Sequence, residues 1–307
     1  MILPVLKEDL PRVAVLLATY NGAAWLLAQL TSIYEQQRVN VHIFVSDDFS
    51  ADGSRALLEA EIARGMPITL LHPVQRCGSA GRNFFHLIRH APAHEAEFWA
   101  LADQDDVWFP DKLVQAVTAI RTKKLAGYSA NFLAWYPDRQ GKQKKFLVNK
   151  AQPQVRYDHL FQGPGPGCTF VLSAIYFEVF QRFIHIDPTA VDAIFFHDWL
   201  IYAHARECGA VWWIDPDPRM LYRQHASNVA GVSRGWKAAI KRLKQMHKGW
   251  YADQVFQIAK LLGVYKEWPV IDFKYGSRWQ RLRMIFHVHQ IRRSWRDRLA
   301  MALFLLI

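Results

Sequence analysis

The chain has 307 residues, 51% of them hydrophobic and 21% charged, with 12 Trp, 19 Phe and 11 Tyr. That is enough apolar material for one large domain, or one domain with an extension, and it excludes a disordered, collagen-like or disulfide-framework protein. The formal charge of +11 belongs to the tail: residues 234–307 hold 16 Lys+Arg against 4 Asp+Glu, and residues 1–233 hold 22 against 23.

Val13–Ala18 is a continuous apolar run and reads as a buried strand. The spacing of Trp25, Leu26, Gln29, Leu30 and Ile33 predicts a helix over Ala23–Tyr34. Val41–Val45 is a second strand, ending at Asp47-Asp48, and a helix is expected over Arg55–Arg64. Ile68–Leu71 is a third strand and Gly81–His90 a helix. Phe98–Leu101 is a fourth strand, running into Asp103-Gln104-Asp105-Asp106, and Pro110 opens a helix to Lys123. Strands alternating with helices predict right-handed βαβ units and a mostly parallel sheet with helices on both faces. In such sheets ligands bind beyond the strands' carboxyl ends. Thr19-Tyr20-Asn21, Asp47-Asp48 and Asp103–Asp106 all fall there.

The middle of the chain is less regular. Lys142–Lys145 and Gln152–Gln154 read as loop, and Gly163-Pro164-Gly165-Pro166-Gly167 as a rigid loop entering a strand at Thr169–Ser173. Helices are expected over Tyr176–Phe183 and Asp198–Cys208, with a strand at Val211–Ile214 before Pro216 and Pro218. From Arg234 onward the chain is basic and mostly helical. Cys77, Cys168 and Cys208 are too few and too scattered for a zinc cluster and fit a reducing compartment. The first twelve residues show no signal-peptide pattern, and no apolar run approaches the ~18 residues of a membrane span. A cytoplasmic protein is expected.

Three carboxylates within Asp103–Asp106 repel one another, and a hard divalent cation such as Mg²⁺ or Mn²⁺ would neutralise them. The competing use is an acidic helix N-terminus. Asp48 at a strand end is placed to accept from a ribose or base N–H, while Ser50 or Asp52 caps the next helix. Asp198 lies in Phe-Phe-His-Asp-Trp, where aromatic neighbours would raise its pKa toward that of a general base; a helix N-cap is the alternative. His225 could complete a Mn²⁺ shell. A Gly-x-Gly-x-x-Gly turn, a Walker loop and a Gly-x-Ser-x-Gly elbow are all missing, which argues against dinucleotide binding and a serine hydrolase.

Taken in order, VAVLLATYNGAAWLLAQLTSIYEQ, FVSDDFSADGS, GSAGRNFF, FWALADQDDVWFPDKL, GPGPGCTFVLS, FHDWL and YRQHASNVAG resemble the family 2 glycosyltransferases over about residues 10–232. The resemblance implies the GT-A fold, with a basic helical extension from residue 234. It implies that Thr19, Tyr20, Asn21 and Asp48 hold the nucleotide base, with Arg82 and Asn83 nearby. Asp103 and Asp105 correspond to the Asp-x-Asp motif, the first toward ribose and metal and the second on the cation. Asp198 corresponds to the catalytic base and His225 to a histidine beside metal and diphosphate. Gly167 and Trp199 fall in the loop region between donor and acceptor. The base motif departs from the commoner Glu-Asp pair, and the Gln-x-x-Arg-Trp signature of processive synthases is missing, which favours one sugar per encounter.

Within the family, ADQDDVW and YRQHASNVAG are most similar to bacterial rhamnosyltransferases of surface polysaccharide assembly, which use dTDP-β-L-rhamnose. The implied partners are that donor and a lipid-linked glycan acceptor.

 The implied acceptor group is a hydroxyl of a growing surface glycan. A UDP-sugar donor is the alternative within the family. Residues 278–307 read as one amphipathic helix, with Ile285, Val288, Ile291, Trp295, Leu299, Leu303 and Leu306 interleaved with Arg278, Arg281, Arg292, Arg293, Arg296 and Arg298. That pattern fits an anionic membrane surface at the inner face of the plasma membrane, with a packed helix or a homo-oligomer contact as the alternatives. A non-enzymatic nucleic-acid- or lipid-binding protein would explain the tail charge but not the strand-end carboxylates, so nucleic acid is not expected as a partner.

Overall fold

The computed structural model describes residues 10–137, 143–225 and 249–306. The first nine residues, Lys142, Ser227-Asn228, the boundary expected at 233/234 and Ile307 lie outside the described residues.

The chain opens with β1 (Arg12–Thr19), α1 (Ala23–Tyr34), β2 (Asn40–Asp47), α2 (Ser54–Ala63) and β3 (Ile68–Leu70). It continues through α3 (Ala80–His90), β4 (Phe98–Asp103), β5 (Val107–Trp108) and α4 (Lys112–Lys123). Next come β6 (Gly127–Pro137), β7 (Gln143–Val148), α5 (Asp158–Phe161), β8 (Val171–Ser173) and α6 (Ala174–Ile186). Then follow α7 (Pro188–Asp192), α8 (His197–Glu207) and β9 (Trp212–Arg223). The described tail holds α9 (Trp250–Leu261), α10 (Val270–Tyr275), α11 (Arg278–Ile285), α12 (Val288–Ile291) and α13 (Trp295–Leu306).

One sheet runs in the order β3-β2-β1-β4-β8-β6-β9-β5, with β7 on β6. The expected α/β architecture is there, and the sheet is mixed. Strand β1 pairs in parallel with β2 and β4, β2 with β3, and β6 with β9. Strand β8 is antiparallel to β4 and β6, β7 to β6, and β5 to β9. Side chains alternate across β1: Ala14, Leu16 and Ala18 join one buried cluster, and Val13, Val15 and Leu17 join the other. Both faces are covered, which is why the strand is apolar throughout.

Three local readings are corrected. Gln143–Lys145 is the start of β7, not loop; its lysines suit an edge strand, which is protected by charge. The strand expected at Val211–Ile214 continues to Arg223 through Pro216 and Pro218. The β6–β9 register shifts beside Asn131, whose Nδ2 donates to the Pro216 carbonyl at 2.7 Å, so the prolines fall at an irregularity where ladder bonds are already interrupted. The single helix expected over 278–307 is broken into α11, α12 and α13.

The described tail is packed into the body. Tyr251, Val255, Ile258, Phe273, Met284, Ile291, Met301 and Leu305 share one buried cluster with Trp99 and Phe177. Arg293, between α12 and α13, donates to Asp158 Oδ2 at 2.9 Å and to the Gly163 carbonyl at 2.6 Å. Asp158 is fully buried and also accepts from Tyr202 and Arg206. Removing one partner of a buried ion pair typically costs ~3–5 kcal/mol, and Arg206 still pairs with Asp158. Arg293→Met is therefore expected to lower unfolding free energy by about 3 kcal/mol in a urea titration. A loss too small to measure would mean that this contact does not hold the tail.

Candidate active site

The strand ends of β1, β2 and β4 open on a cleft of about 660 Å³, a usual size for a small-molecule site. Its floor is made by two loops tied to each other. Asn21, in the left-handed region at φ 49°, donates its N–H to Ser50 Oγ and accepts from the Ala51 N–H. Gly22 N–H donates to Ser54 Oγ, and Ala23 N–H to Asp52. Gln104 then fastens this loop to β4. Its Oε1 accepts from Thr19 Oγ1 and from Tyr20 N–H, each at 2.7 Å, and its Nε2 donates to the Tyr20 carbonyl. A Cβ on Gly22 would stand 2.4 Å from that Oε1.

The cleft brings together Thr19, Tyr20, Asn21, Asp48, Asn83, Asp103, Asp105, Gly167, Asp198 and His225 among its lining. Arg82 and Trp199 do not line it. Arg82 Nε donates to the Asp192 carbonyl, and Trp199 is buried, its ring stacked on Tyr251 and its Nε1 donating to the His159 carbonyl. Asp48 accepts from the backbone N–H groups of Cys77 and Gly78, which fold the loop before α3 against the cleft. Asn83 is buried and donates to the Ser46 carbonyl, fixing the end of β2.

Asp105 Oδ2 and His225 Nε2 are 2.6 Å apart, and the His225 ring stacks on Trp25 at 4.1 Å. Arg223 Nε donates to the Asp105 carbonyl, lacing the end of β9 to the acidic loop. Burial and the neighbouring Asp105 and Asp198 carboxylates raise the pKa of Asp103. Asp106 is fully buried and also raised, by burial first and then by Asp105 and Asp103. The donor set fits a divalent cation: carboxylate oxygens and one imidazole line a common cavity. Asp103, Asp106 and Cys168 also lie close together, but Cys168 is buried away from the cleft lining. Burial and the two carboxylates push its thiol pKa far up, so it stays protonated beside them.

Asp198 sits in the first turn of α8, whose N-cap is Phe196, so it is not the helix cap. Burial raises its pKa to about 6, against the opposing effect of the Trp199 and Gly167 N–H groups and of Lys150. His197 beside it is buried, stacks on Phe84 at 4.0 Å and is held neutral, its pKa pushed down to about 3. A Cβ on Gly167 would lie 2.3 Å from His197 Nε2, so only glycine brings its N–H to Asp198 here.

Sequence reading passed over Gln104, Arg76, Trp25, Cys168 and Lys150. Gln104 stands in the acidic motif as a spacer and gave a signal only by position. Arg76 lines the cleft and lies over the Tyr20 ring at 4.5 Å. These roles depend on contacts between segments far apart in the chain.

The family model "Glycosyl transferase family 2" matches residues 14–184. The chain belongs to glycosyl transferase family 2. It is 38% identical over 247 residues, 80% of its length, to the dTDP-rhamnosyl transferase RfbG of Shigella flexneri, covering 84% of that protein. Among solved structures it resembles S. aureus TarS 1–349 in complex with UDP-GlcNAc, with a TM-score of 0.54, 13% identity and coverage of 96% of this chain and 89% of that one. It also resembles the mannosyltransferase PcManGT from Pyrobaculum calidifontis in complex with GDP-Man and Mn²⁺, with a TM-score of 0.53, 16% identity and coverage of 98% and 86%. The fold is GT-A, and this family 2 member is a glycosyltransferase.

A base must be deprotonated to act, and a raised pKa delays that until higher pH. If Asp198 serves as base, kcat/KM of this transferase is expected to rise from pH 5 to 7 with an acid limb near 6. A flat profile across that range would contradict the assignment.

Proposed function

We propose that this enzyme transfers L-rhamnose from dTDP-β-L-rhamnose to a hydroxyl of a growing bacterial surface glycan, with inversion at the anomeric carbon. The likeness to the Shigella flexneri rhamnosyl transferase supports the donor. The observation that carries the chemistry is one cleft holding Asp198, with its pKa raised to about 6, and the pair Asp105 and His225.

In this reading the acceptor hydroxyl lies against Asp198. Its oxygen forms the new bond to the anomeric carbon as the bond to the diphosphate breaks on the opposite face. Asp198 takes the hydroxyl proton, and the nucleoside diphosphate leaves with the bonding electron pair. Thr19, Tyr20, Asn21 and Asp48 hold the nucleotide, with Asn83 and Gln104 keeping those loops in place. Asp105, Asp103 and His225 are the residues that would hold Mn²⁺ or Mg²⁺. When bound, such an ion offsets the charge that grows on the leaving diphosphate. Lys150 and Gly167 N–H keep the Asp198 carboxylate from rising further in pKa. A lipid-linked acceptor would set the enzyme at the inner face of the plasma membrane, in the cytoplasm.

General-base assistance is typically worth ~10²–10⁴-fold. Asp198→Asn is expected to lose at least about 100-fold in transfer while binding the donor normally. Transfer is read by product formation, and the anomeric configuration by NMR. Near-normal turnover of that variant, or a product that retains configuration, would overturn the mechanism.

A further inference from the structure

The tail helices leave apolar surface in solvent. On α13, Met301 and Leu305 are buried while Trp295, Leu299, Leu303 and Leu306 face outward at steps of four, four and three. Trp279 on α11 and Phe286 at its C-cap are also outward, seven residues apart. These six side chains are 52–79% exposed. Helix α11 packs along α13, so the two outward faces belong to one region of the molecule. A helix apolar on both sides needs a second apolar environment besides the protein core.

The charge around this surface has one sign. Residues 278–306 contain seven Arg and one acid, Asp297. Arg292 and Arg293 are turned inward, onto the Tyr251 hydroxyl and Asp158, and Arg298 donates to the Arg292 carbonyl. Arg278, Arg281, Arg283 and Arg296 remain exposed. Asp297 is held by Ser294. A twofold interface would place this surface against itself and set arginine against arginine. An anionic bilayer offers both what the Trp and Leu side chains need and what the arginines need.

We infer that the outward faces of α11 and α13 dock this enzyme on anionic lipid, with Trp279, Phe286, Trp295, Leu299, Leu303 and Leu306 entering the interface among the arginines. The inference rests on the peripheral location proposed above and gives it a surface. It replaces the single continuous helix expected from sequence: Ile291 turns into the core and takes no part. The surface is also firmly mounted. Phe304 of α13 contacts Phe273, Phe273 contacts Tyr251, and Tyr251 stacks on Trp199, the neighbour of Asp198.

The test is co-sedimentation of the full chain with vesicles of phosphatidylglycerol and phosphatidylethanolamine, and with pure phosphatidylcholine vesicles. The anionic vesicles are expected to bind the protein, and rising salt to weaken that binding. The triple variant W295S/L299Q/L303Q changes only exposed positions and is expected to bind at least about tenfold less. Donor binding, measured by calorimetry on the same samples, should be unchanged in the variant and separates failure of this inference from failure of the transferase reading. No binding of wild type to anionic vesicles, equal binding to phosphatidylcholine, or undiminished binding of the triple variant would each overturn the inference. So would a wild-type dimer in light scattering that the triple variant turns into a monomer, since the surface would then be a protein interface.

Discussion

Asp103, Asp105, Asp106 and Asp198 lie within electrostatic reach of one another, and their repulsion is the constraint that the surrounding structure answers. Each is met by something different. Cys168, kept protonated by burial and the carboxylates, lies beside Asp103 and Asp106. Arg223 supplies its backbone N–H to Asp106 and its guanidinium to the Asp105 carbonyl. The Gly167 and Trp199 N–H groups reach Asp198. Lys112, buried over the Trp108 ring, lies near Asp106 and Cys168, with its pKa lowered to about 7 by burial. Asp105 lines the cleft, where its Oδ2 meets the His225 imidazole at 2.6 Å.

This arrangement explains why the acidic loop is so thoroughly tied down. Gln104 is fixed by three hydrogen bonds to the first loop, and β5 is held on β9 directly after the acidic loop. Rigid placement matters because a carboxylate site that relaxes in the absence of its ligand must be rebuilt on binding. Glycine at 167 serves the same end, since any side chain there would displace His197 and with it the approach to Asp198.

The parallel half of the sheet was legible because each strand there is buried on both faces and therefore apolar without interruption. The acidic motif and Asp198 were legible because they sit at strand and helix ends in a recognisable order. Strand β7 was hidden by its lysines, which are tolerated at an edge. The length of β9 was hidden by Pro216 and Pro218, which fall where the register shifts. The tail misled in another way. Its arginines look alike in sequence, but Arg293 is buried on Asp158, 135 residues away, while Arg296 remains in solvent. Only long-range packing separates the two.

The central claim is that the cleft binds a nucleotide sugar through a divalent cation held at Asp105. Calorimetry of dTDP-β-L-rhamnose with and without Mn²⁺, on wild type and on Asp105→Ala, tests it most directly. The account predicts binding that depends on Mn²⁺ and weakens at least about tenfold in Asp105→Ala, the order of a lost charge-assisted contact. Equal affinity with and without the ion, or undiminished affinity in the variant, would contradict it.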